Sequence, residues 1–196
     1  MATSFKRYLI DKLSITEEQA DKAVPDLKTK FFKKGTIIIS EGDTKSDSYF
    51  VNSGLLRMFS MDQKGKEHVI QFAPENWMIS DRNSLMYNEP SAYYIEAVED
   101  TEVVIVDKNF FVNMKHVIPE ILELNINMLH NSIRFMQHRI NMLLSASAEE
   151  RYLHFIKLYP NLTLRVPQWM IASYLGITPE SLSRVRKDLA HKNFKK

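Results

Sequence analysis

Apolar and polar positions along the chain follow two different periods. Between residues 35 and 106, short runs rich in β-branched and aromatic residues recur about every ten residues, with glycine-containing turns between the first of them. No helix-length segment interrupts the first four runs, so the pattern favours an antiparallel sandwich, barrel or roll over a parallel sheet. The predicted strands are 36–40, 48–52, 55–61, 67–72, 93–98 and 102–106.

Two short helices are predicted before the strands, at 4–13 and from Thr16 onward. Thr16 is a common N-cap residue, and Gln19 three residues later completes a capping box. Pro25 helps to end this helix, because proline lacks the backbone donor that a helix interior needs.

After Pro119 the apolar period becomes helical. Proline suits the first position of a helix, and Glu120 and Glu123 are favourable near the positive end of the helix dipole. A helix from 119 to about 145 would be about 40 Å long, which is too long for one small β domain to cover. Its apolar residues alternate spacings of four and three, as in a coiled-coil seam. These residues are Leu122, Ile126, Leu129, Ile133, Met136, Ile140 and Leu143.

The heptad seam predicts a parallel two-fold dimer, with Asn125, Gln137 and Asn141 beside it. The alternative is a helix that packs only on its own domain. Ile121 and Leu124 widen the apolar stripe enough for the helix to touch both a partner and its own domain.

Residues 168–189 carry the pattern of a helix-turn-helix. Ala172 is small where the two helices cross, and Gly176, four residues later, permits the positive φ of the turn. Thr178 and Pro179 then suit the N-cap and the first position of the second helix. The apolar faces are formed by Ile171 and Leu175 in the first helix and by Leu182, Val185 and Leu189 in the second.

Charge divides the chain in the same way. The overall balance of +2 argues, taken alone, against a basic nucleic-acid binder. However, residues 1–147 carry −3 and residues 148–196 carry +5, so the basic character belongs to the segment with the helix-turn-helix. A solvated basic C-terminal segment is the alternative interpretation.

The polar positions of the second helix form a candidate DNA-reading face. In a major groove, Arg184 can bond guanine, and Glu180, one turn away, can accept from cytosine. The alternative is a surface ion pair between these two residues. The polar residues around them are suited to phosphates. The candidate DNA-binding residues are Gln168, Thr178, Glu180, Ser181, Ser183, Arg184, Arg186 and Lys187.

Other classes of function lack a sequence signal. No phosphate-binding glycine loop, zinc-ligand helix motif or nucleophile elbow is present, so neither an enzyme activity nor a cofactor is predicted. The absence of cysteine excludes thiolate metal sites and Cys-ligated iron–sulfur clusters from this sequence. No apolar run approaches the roughly 18 residues that cross a bilayer, and the first residues do not fit a signal peptide. We therefore expect a soluble cytoplasmic protein with no membrane partner.

These features together resemble the Crp–Fnr family of bacterial transcription regulators over nearly the whole chain. The segments 34–43, 48–54 and 65–67 resemble the cyclic-nucleotide-binding β-roll of that family, and 165–187 resembles its DNA-binding motif. The resemblance implies an α+β fold with an antiparallel β-roll of double-stranded β-helix or jelly-roll type and a small all-α helix-turn-helix domain. The implied division is a sensor domain at 1–118, a dimerisation helix and hinge at 119–147, and a DNA-binding domain at 148–196.

The resemblance also implies a function and its partners. A homodimer would place two recognition helices in successive major grooves about 34 Å apart and bind a palindromic operator on double-stranded DNA. RNA polymerase and an unknown small-molecule effector are further candidate partners. The alternative is a dimeric ligand-binding or protein-interaction module that binds DNA only weakly or non-specifically. Family members continue into a β-hairpin wing where this sequence has only residues 192–196, so we expect weaker and more salt-sensitive DNA binding.

The candidate effector pocket departs from the family pattern. Cyclic-AMP-binding members carry Gly-Glu and, further along, Arg-Ser or Arg-Thr, where the arginine neutralises the phosphate. Counting back from Ala97, this sequence has Ser80-Asp81 and Ser91-Ala92 at those positions, so that arginine is absent, and a buried phosphate without a cation is disfavoured. We expect an effector other than cyclic AMP, or a β-roll that serves as a structural dimer platform. The candidate pocket residues are Ser80, Asp81, Arg82, Ser91, Ala92, Met136 and Gln137.

Histidines are the remaining candidates for haem or metal sensing. His68, His116, His130 and His138 show no recognisable ligand spacing, so no metal site is predicted. The stretch 41–43 contains two acidic residues, but a turn between strands explains it better than a metal site does.

Overall fold

The first two helices are α1 (Ser4–Leu13) and α2 (Glu17–Ala23). The structure is a computed structural model that describes residues 4–24, 27–44 and 47–194. The predicted capping box of α2 is confirmed, because the Gln19 amide donates to Thr16 Oγ1 at 3.2 Å and the Thr16 amide donates to Gln19 Oε1 at 2.9 Å. Pro25, which was predicted to help end α2, lies outside the described residues.

Eight described strands then form two antiparallel four-stranded sheets, in the orders β1-β8-β3-β6 and β2-β7-β4-β5. They are β1 (Lys28–Phe32), β2 (Ile37–Ile39), β3 (Ser48–Ser53), β4 (Leu56–Met61), β5 (Glu67–Ala73), β6 (Met78–Ile79), β7 (Tyr94–Ala97) and β8 (Thr101–Val106). The six predicted strands are confirmed to within two residues. The sequence pattern missed β1, whose first four residues are exposed, and β6, which has only two residues.

Seven further helices follow within the described part of the chain. They are α3 (Arg82–Tyr87), α4 (Phe110–Met114), α5 (Ile121–Ser145), α6 (Ala148–Leu158), α7 (Leu162–Arg165), α8 (Gln168–Leu175) and α9 (Pro179–Phe194). The prediction that α5 begins at Pro119 is wrong by two residues. Ile118 and Ile121 are both fully buried and are joined by a turn, from the Ile121 amide to the Ile118 carbonyl, so Pro119 and Glu120 lie in that turn.

The central strands β3, β4 and β8 are covered on both faces, which explains their continuous apolar runs, whereas most of β1 is exposed. Side chains of β8 alternate: Val103 packs between the two sheets, whereas Val104 and Val106 pack against α1, α2, α4 and the start of α5. On the opposite side of the β-roll, Val69 and Phe72 of β5 join the core formed by α6, α8 and α9. The molecule is therefore layered, with the β-roll between two groups of helices.

The long helix α5 leaves this core soon after it begins. Ile121 and Leu124 are buried, and the remaining residues of α5 are half-buried or exposed. Ser147 then caps α6, because its hydroxyl oxygen accepts from the Glu150 amide at 3.2 Å, and Glu150 completes a capping box. The predicted break between α5 and α6 is confirmed. In the described residues we find no helix both long and apolar enough to traverse a bilayer.

Candidate functional site

The helices α8 and α9 form the predicted helix-turn-helix. Gly176 ends α8 with φ +65°, and the Ile177 amide donates to the Ala172 carbonyl at 3.0 Å. A Cβ atom at position 176 would lie 3.2 Å from the Leu143 side chain, so the position is restricted both by its backbone conformation and by its neighbour. Ala172 is fully buried, as expected where the two helices cross.

The start and inner face of α9 are as predicted. The Ser181 amide donates to Thr178 Oγ1 at 3.2 Å, and Pro179 is the first helical residue. Leu182 is fully buried, and Val185 and Leu189 are partly buried against the same core. The rotation of α9 about its axis is therefore fixed by packing, which determines which side chains point outward.

The outer face of α9 is polar and exposed. Ser181 is half-buried, and the other predicted DNA-binding residues are exposed: Gln168, Thr178, Glu180, Ser183, Arg184, Arg186 and Lys187. Gln168 at the start of α8 lines an open groove together with Pro179, Ser183, Arg186 and Lys187. The structure therefore brings one residue of α8 next to the α9 residues that are candidates for contacts with DNA phosphates.

The charged side chains on this face form no ion pairs with other described residues. No ion pair joins Glu180 to Arg184 in the described part of the chain, and hydrogen bonding to Thr178 lowers the pKa of the Glu180 carboxyl. In contrast, Lys192 pairs with Glu149 of α6 at 2.8 Å, and Lys195 and Lys196 lie outside the described residues. The surface pair considered from the sequence is absent between these two described side chains.

The predicted seam of α5 is an apolar face without a covering element in one chain. Ile126, Ile133 and Ile140 are 52, 55 and 57% exposed, and Leu143 is 40% exposed. The other seam residues, Leu122, Leu129 and Met136, are half-buried, as is Asn125, whereas Gln137 and Asn141 are exposed. Large aliphatic side chains repeated along one helix face are unusual on a lone chain and favour a partner.

In the candidate effector pocket, the structure joins Asp81 to Ser91. The Ser91 hydroxyl is 2.7 Å from Asp81 Oδ2, and both side chains are buried. Asp81 is also the N-cap of α3, where its Oδ1 accepts from the Asn83 amide at 3.0 Å. Both carboxylate oxygens thus have internal donors, and the pair joins the start of α3 to the loop between α3 and β7.

The other candidate pocket residues are not part of this bond. Arg82, Ala92 and Gln137 are exposed, and Ser80 and Met136 are half-buried. Arg82 is thus placed at the surface rather than beside the buried Asp81–Ser91 pair. The segment 41–43 is a turn, as predicted, in which the Ser40 amide donates to Asp43 Oδ2 at 2.8 Å and Gly42 has φ +91°.

The histidines show one pairing that the sequence did not suggest. His138 of α5 and His154 of α6 have their Nε2 atoms 3.0 Å apart, although 16 positions separate them. His68 instead contacts Asp62 at 3.0 Å. Within the described ranges, no three His, Cys, Asp or Glu side chains are grouped as a metal site.

A second feature missed from the sequence is the attachment of the helix-turn-helix to the β-roll. The Ser173 hydroxyl of α8 donates to the Glu67 carbonyl at 2.9 Å and accepts from the Val69 amide at 3.0 Å. Arg165 of α7 forms hydrogen bonds with Glu75, Glu99 and the Gly54 carbonyl of the β-roll. Arg165, which lies within the segment that resembles the DNA-binding motif, is therefore engaged inside the molecule.

Comparison with known proteins gives a consistent assignment of the β-roll. Residues 29–116, from β1 to α4, match the family model of the cyclic nucleotide-binding domain. The anaerobic regulatory protein of Pasteurella multocida is 22% identical over 169 residues, which are 81% of this chain and 61% of the relative. The chain thus spans less than two thirds of that relative's length.

Solved structures agree with the fold of most of the chain. FixK2 from Bradyrhizobium japonicum superposes with a TM-score of 0.70 at 19% identity, covering 85% of this chain and 86% of that one. A transcriptional regulator of the CRP/FNR family from Thermus thermophilus superposes with a TM-score of 0.64 at 19% identity, covering 84% and 87%. The Pasteurella relative is named a regulatory protein, and the Thermus neighbour is named a transcriptional regulator.

Proposed function

We propose that this protein, whose residues 29–116 match the family model of the cyclic nucleotide-binding domain, is a homodimeric, sequence-specific DNA-binding transcription regulator of Crp–Fnr type. The observation that carries the proposal is the outer face of α9. There Glu180 and Arg184 are exposed one turn apart on a helix whose rotation is fixed by its buried side.

In this proposal, some side chains of α9 contact bases and others contact phosphates. Arg184 has no described partner and bonds guanine in the major groove, and the Glu180 carboxylate, whose pKa is lowered by hydrogen bonding to Thr178, accepts from cytosine. Arg186, Lys187 and Gln168 contact the phosphates, since they line the groove beside the helix. The exposed seam of α5 supports a two-fold dimer, and a two-fold dimer binds a palindromic site.

The test has two steps. Genomic fragments bound by the full-length chain are first selected and sequenced, and the recovered operator is then used in mobility-shift titrations beside random DNA. We expect Arg184→Ala to lose about 1–3 kcal/mol of operator binding, roughly tenfold or more, with a much smaller effect on random DNA. Arg82→Ala, which removes an exposed arginine from α3 of the β-roll, is the matched control and should leave both affinities unchanged.

The two classes of function considered from the sequence predict different results. Lys187→Ala should weaken binding to operator and random DNA alike and reduce the salt dependence by about one charge, because it contacts phosphate. If the chain shows no operator preference and Arg184→Ala binds all DNA as the wild type does, α9 is not a recognition helix. The ligand-binding or protein-interaction alternative would then stand.

We further propose that the β-roll responds to an effector other than cyclic AMP. The hydrogen bond between Asp81 and Ser91 supports this. Both side chains are buried, and Ser91-Ala92 supplies no cation for a phosphate where cyclic-AMP-binding members have an arginine. Cyclic AMP should therefore leave the melting temperature of the full-length chain unchanged. A rise that saturates with cyclic AMP concentration would contradict the proposal.

A further inference from the structure

A pocket at the junction of α5, α6 and α8 lies beside the sites described so far and shares Leu143 with the predicted seam of α5. Its basic lining residues are His138 and Arg139 of α5 and Arg151 and His154 of α6, and the remaining lining side chains are apolar or aromatic. None of the described residues that line it is acidic. Two guanidinium cations thus face one small space without a carboxylate among the lining residues, which creates a locally positive potential.

One of the two guanidinium groups has an N–H donor without an acceptor. The Arg151 Nη1 group donates to the Leu175 carbonyl at 2.8 Å, but the Arg151 Nε atom is buried and has no hydrogen-bond partner. Arg139 is held in place, since its guanidinium donates to the Val69 carbonyl at 3.0 Å and lies 3.7 Å from the centre of the Tyr174 ring. A buried cationic donor without an acceptor is a costly arrangement that an anion would relieve.

The pairing of His138 with His154 also favours an anion in this pocket. With the two Nε2 atoms 3.0 Å apart, only one of them can carry the hydrogen between them while both rings are neutral. Burial, together with the nearby His138 and Lys157, lowers the pKa of His154. An anion in the pocket would offset this effect, because it would accept from a ring that gains a proton.

The volume and charge of the pocket limit its occupant. The cavity volume is about 20 Å³, which is room for about one water-sized group. Two guanidinium groups would repel a divalent cation, and an uncharged occupant would leave the positive potential unbalanced. We propose that this pocket binds one small anionic group, either a halide or one carboxylate oxygen of a metabolite.

Such a site has a structural consequence. The walls come from the seam-bearing helix α5 and from α6 and α8 of the segment that carries the helix-turn-helix. An anion held by Arg151 and the histidine pair bridges α5 to α6. Occupancy then stabilises the orientation of the two helices seen here relative to any other orientation.

The direct test is thermal unfolding of the full-length chain without DNA, so that its outcome does not depend on the proposed DNA-binding function. Sodium chloride and sodium acetate are titrated separately, with sodium methanesulfonate holding the ionic strength constant. We expect a rise in melting temperature that saturates with at least one of the two anions. Saturation with chloride indicates an inorganic ion, and saturation only with acetate indicates a carboxylate ligand. If neither anion gives a saturable rise, the proposal is overturned.

Variants locate the effect in the pocket. Arg151→Gln should raise the half-saturating concentration by roughly tenfold or more, because a charged donor is lost. If that variant does not fold, His154→Gln serves instead. It should remove the tighter binding that the wild type shows as the pH falls from about 6.5 to about 5, because the lowered pKa of His154 places its protonation below the ordinary value for histidine. The other charged or titratable groups that face the pair are Arg139, Arg151, Lys157 and Tyr174.

The matched control is His68→Gln, in which the exposed His68 that contacts Asp62 is replaced outside the pocket. This variant should retain the wild-type response to anion and pH. If Arg151→Gln and His154→Gln both respond as the wild type and the control do, the anion binds elsewhere and the assignment of the pocket is wrong.

Discussion

Arg165 and Glu75, 90 positions apart in the sequence, form a two-point hydrogen bond between the helical segment and the β-roll. The Nη1 and Nη2 atoms of Arg165 lie 3.0 and 2.8 Å from the two carboxylate oxygens of Glu75. Arg165 also pairs with Glu99 and donates to the Gly54 carbonyl. One guanidinium therefore holds together three segments of the β-roll surface and fixes α7 against them.

Replacement of Arg165 should destabilise the whole chain. In Arg165→Met the carboxylates of Glu75 and Glu99 lose their shared cation, and the free energy of unfolding should fall by about 1–2 kcal/mol. This is less than the loss for a fully buried pair, because water reaches both carboxylates. Urea unfolding measures the change, and Arg82→Met, at an exposed position, should alter stability by less than about 0.5 kcal/mol. Equal stabilities of the two variants would show that the Arg165 contacts contribute nothing.

The Arg165 contacts should also depend on pH. Burial acts to raise the pKa of Glu75, but hydrogen bonds and the charge of Arg165 outweigh it and leave the pKa below its ordinary value. A carboxyl whose pKa is lowered by folding stabilises the folded state above its unfolded pKa of about 4.3, and this contribution is lost as the pH falls through the folded pKa. The stability difference between wild type and Arg165→Met should thus be complete near pH 7 and shrink below about pH 4.5. Urea unfolding across this range provides the measurement, and a constant difference would contradict it.

The seam of α5 provides a separate prediction about assembly. Ile133→Glu places a charge at a position that is 55% exposed in one chain, so the fold of the chain should tolerate it while a dimer seam should not. Sedimentation should show a dimer for the wild type and a monomer for this variant at the same concentration. Asn131→Glu, on the same helix but outside the seam, is the control and should remain dimeric. A dimer that survives Ile133→Glu would place the interface elsewhere.

Local signals in the sequence were sufficient for most elements. The turn at Gly176 and the caps at Thr16 and Thr178 depend on residues within a few positions of one another, so their patterns are visible without the fold. The strand β8 was predicted from β-branched residues alone. The DNA-binding, dimer and effector roles of the residues chosen from the sequence remain predictions.

Contacts between distant segments were not visible in the same way. β1 has four exposed residues in five and is a strand because it pairs with β8 about 70 positions later. The hydrogen bonds of Arg165 and the pairing of His138 with His154 likewise depend on how α6 and α7 approach other elements. No spacing in the sequence encodes that approach, since the core that joins β5 to α6 and α8 is made of ordinary apolar residues.

Two variants of Gly176 separate two contributions to the free energy of unfolding: the cost of a positive φ and the cost of a close contact with Leu143. In Gly176→Ala the residue must hold φ +65°, which costs alanine about 1–2 kcal/mol, and its Cβ would lie 3.2 Å from Leu143 Cδ2. Gly176→Asn has the same Cβ, but asparagine tolerates the left-handed region better. We therefore expect urea unfolding to rank the stabilities as wild type, then Gly176→Asn, then Gly176→Ala. Equal losses in the two variants would mean that the contact with Leu143, rather than the backbone conformation, requires glycine at this turn.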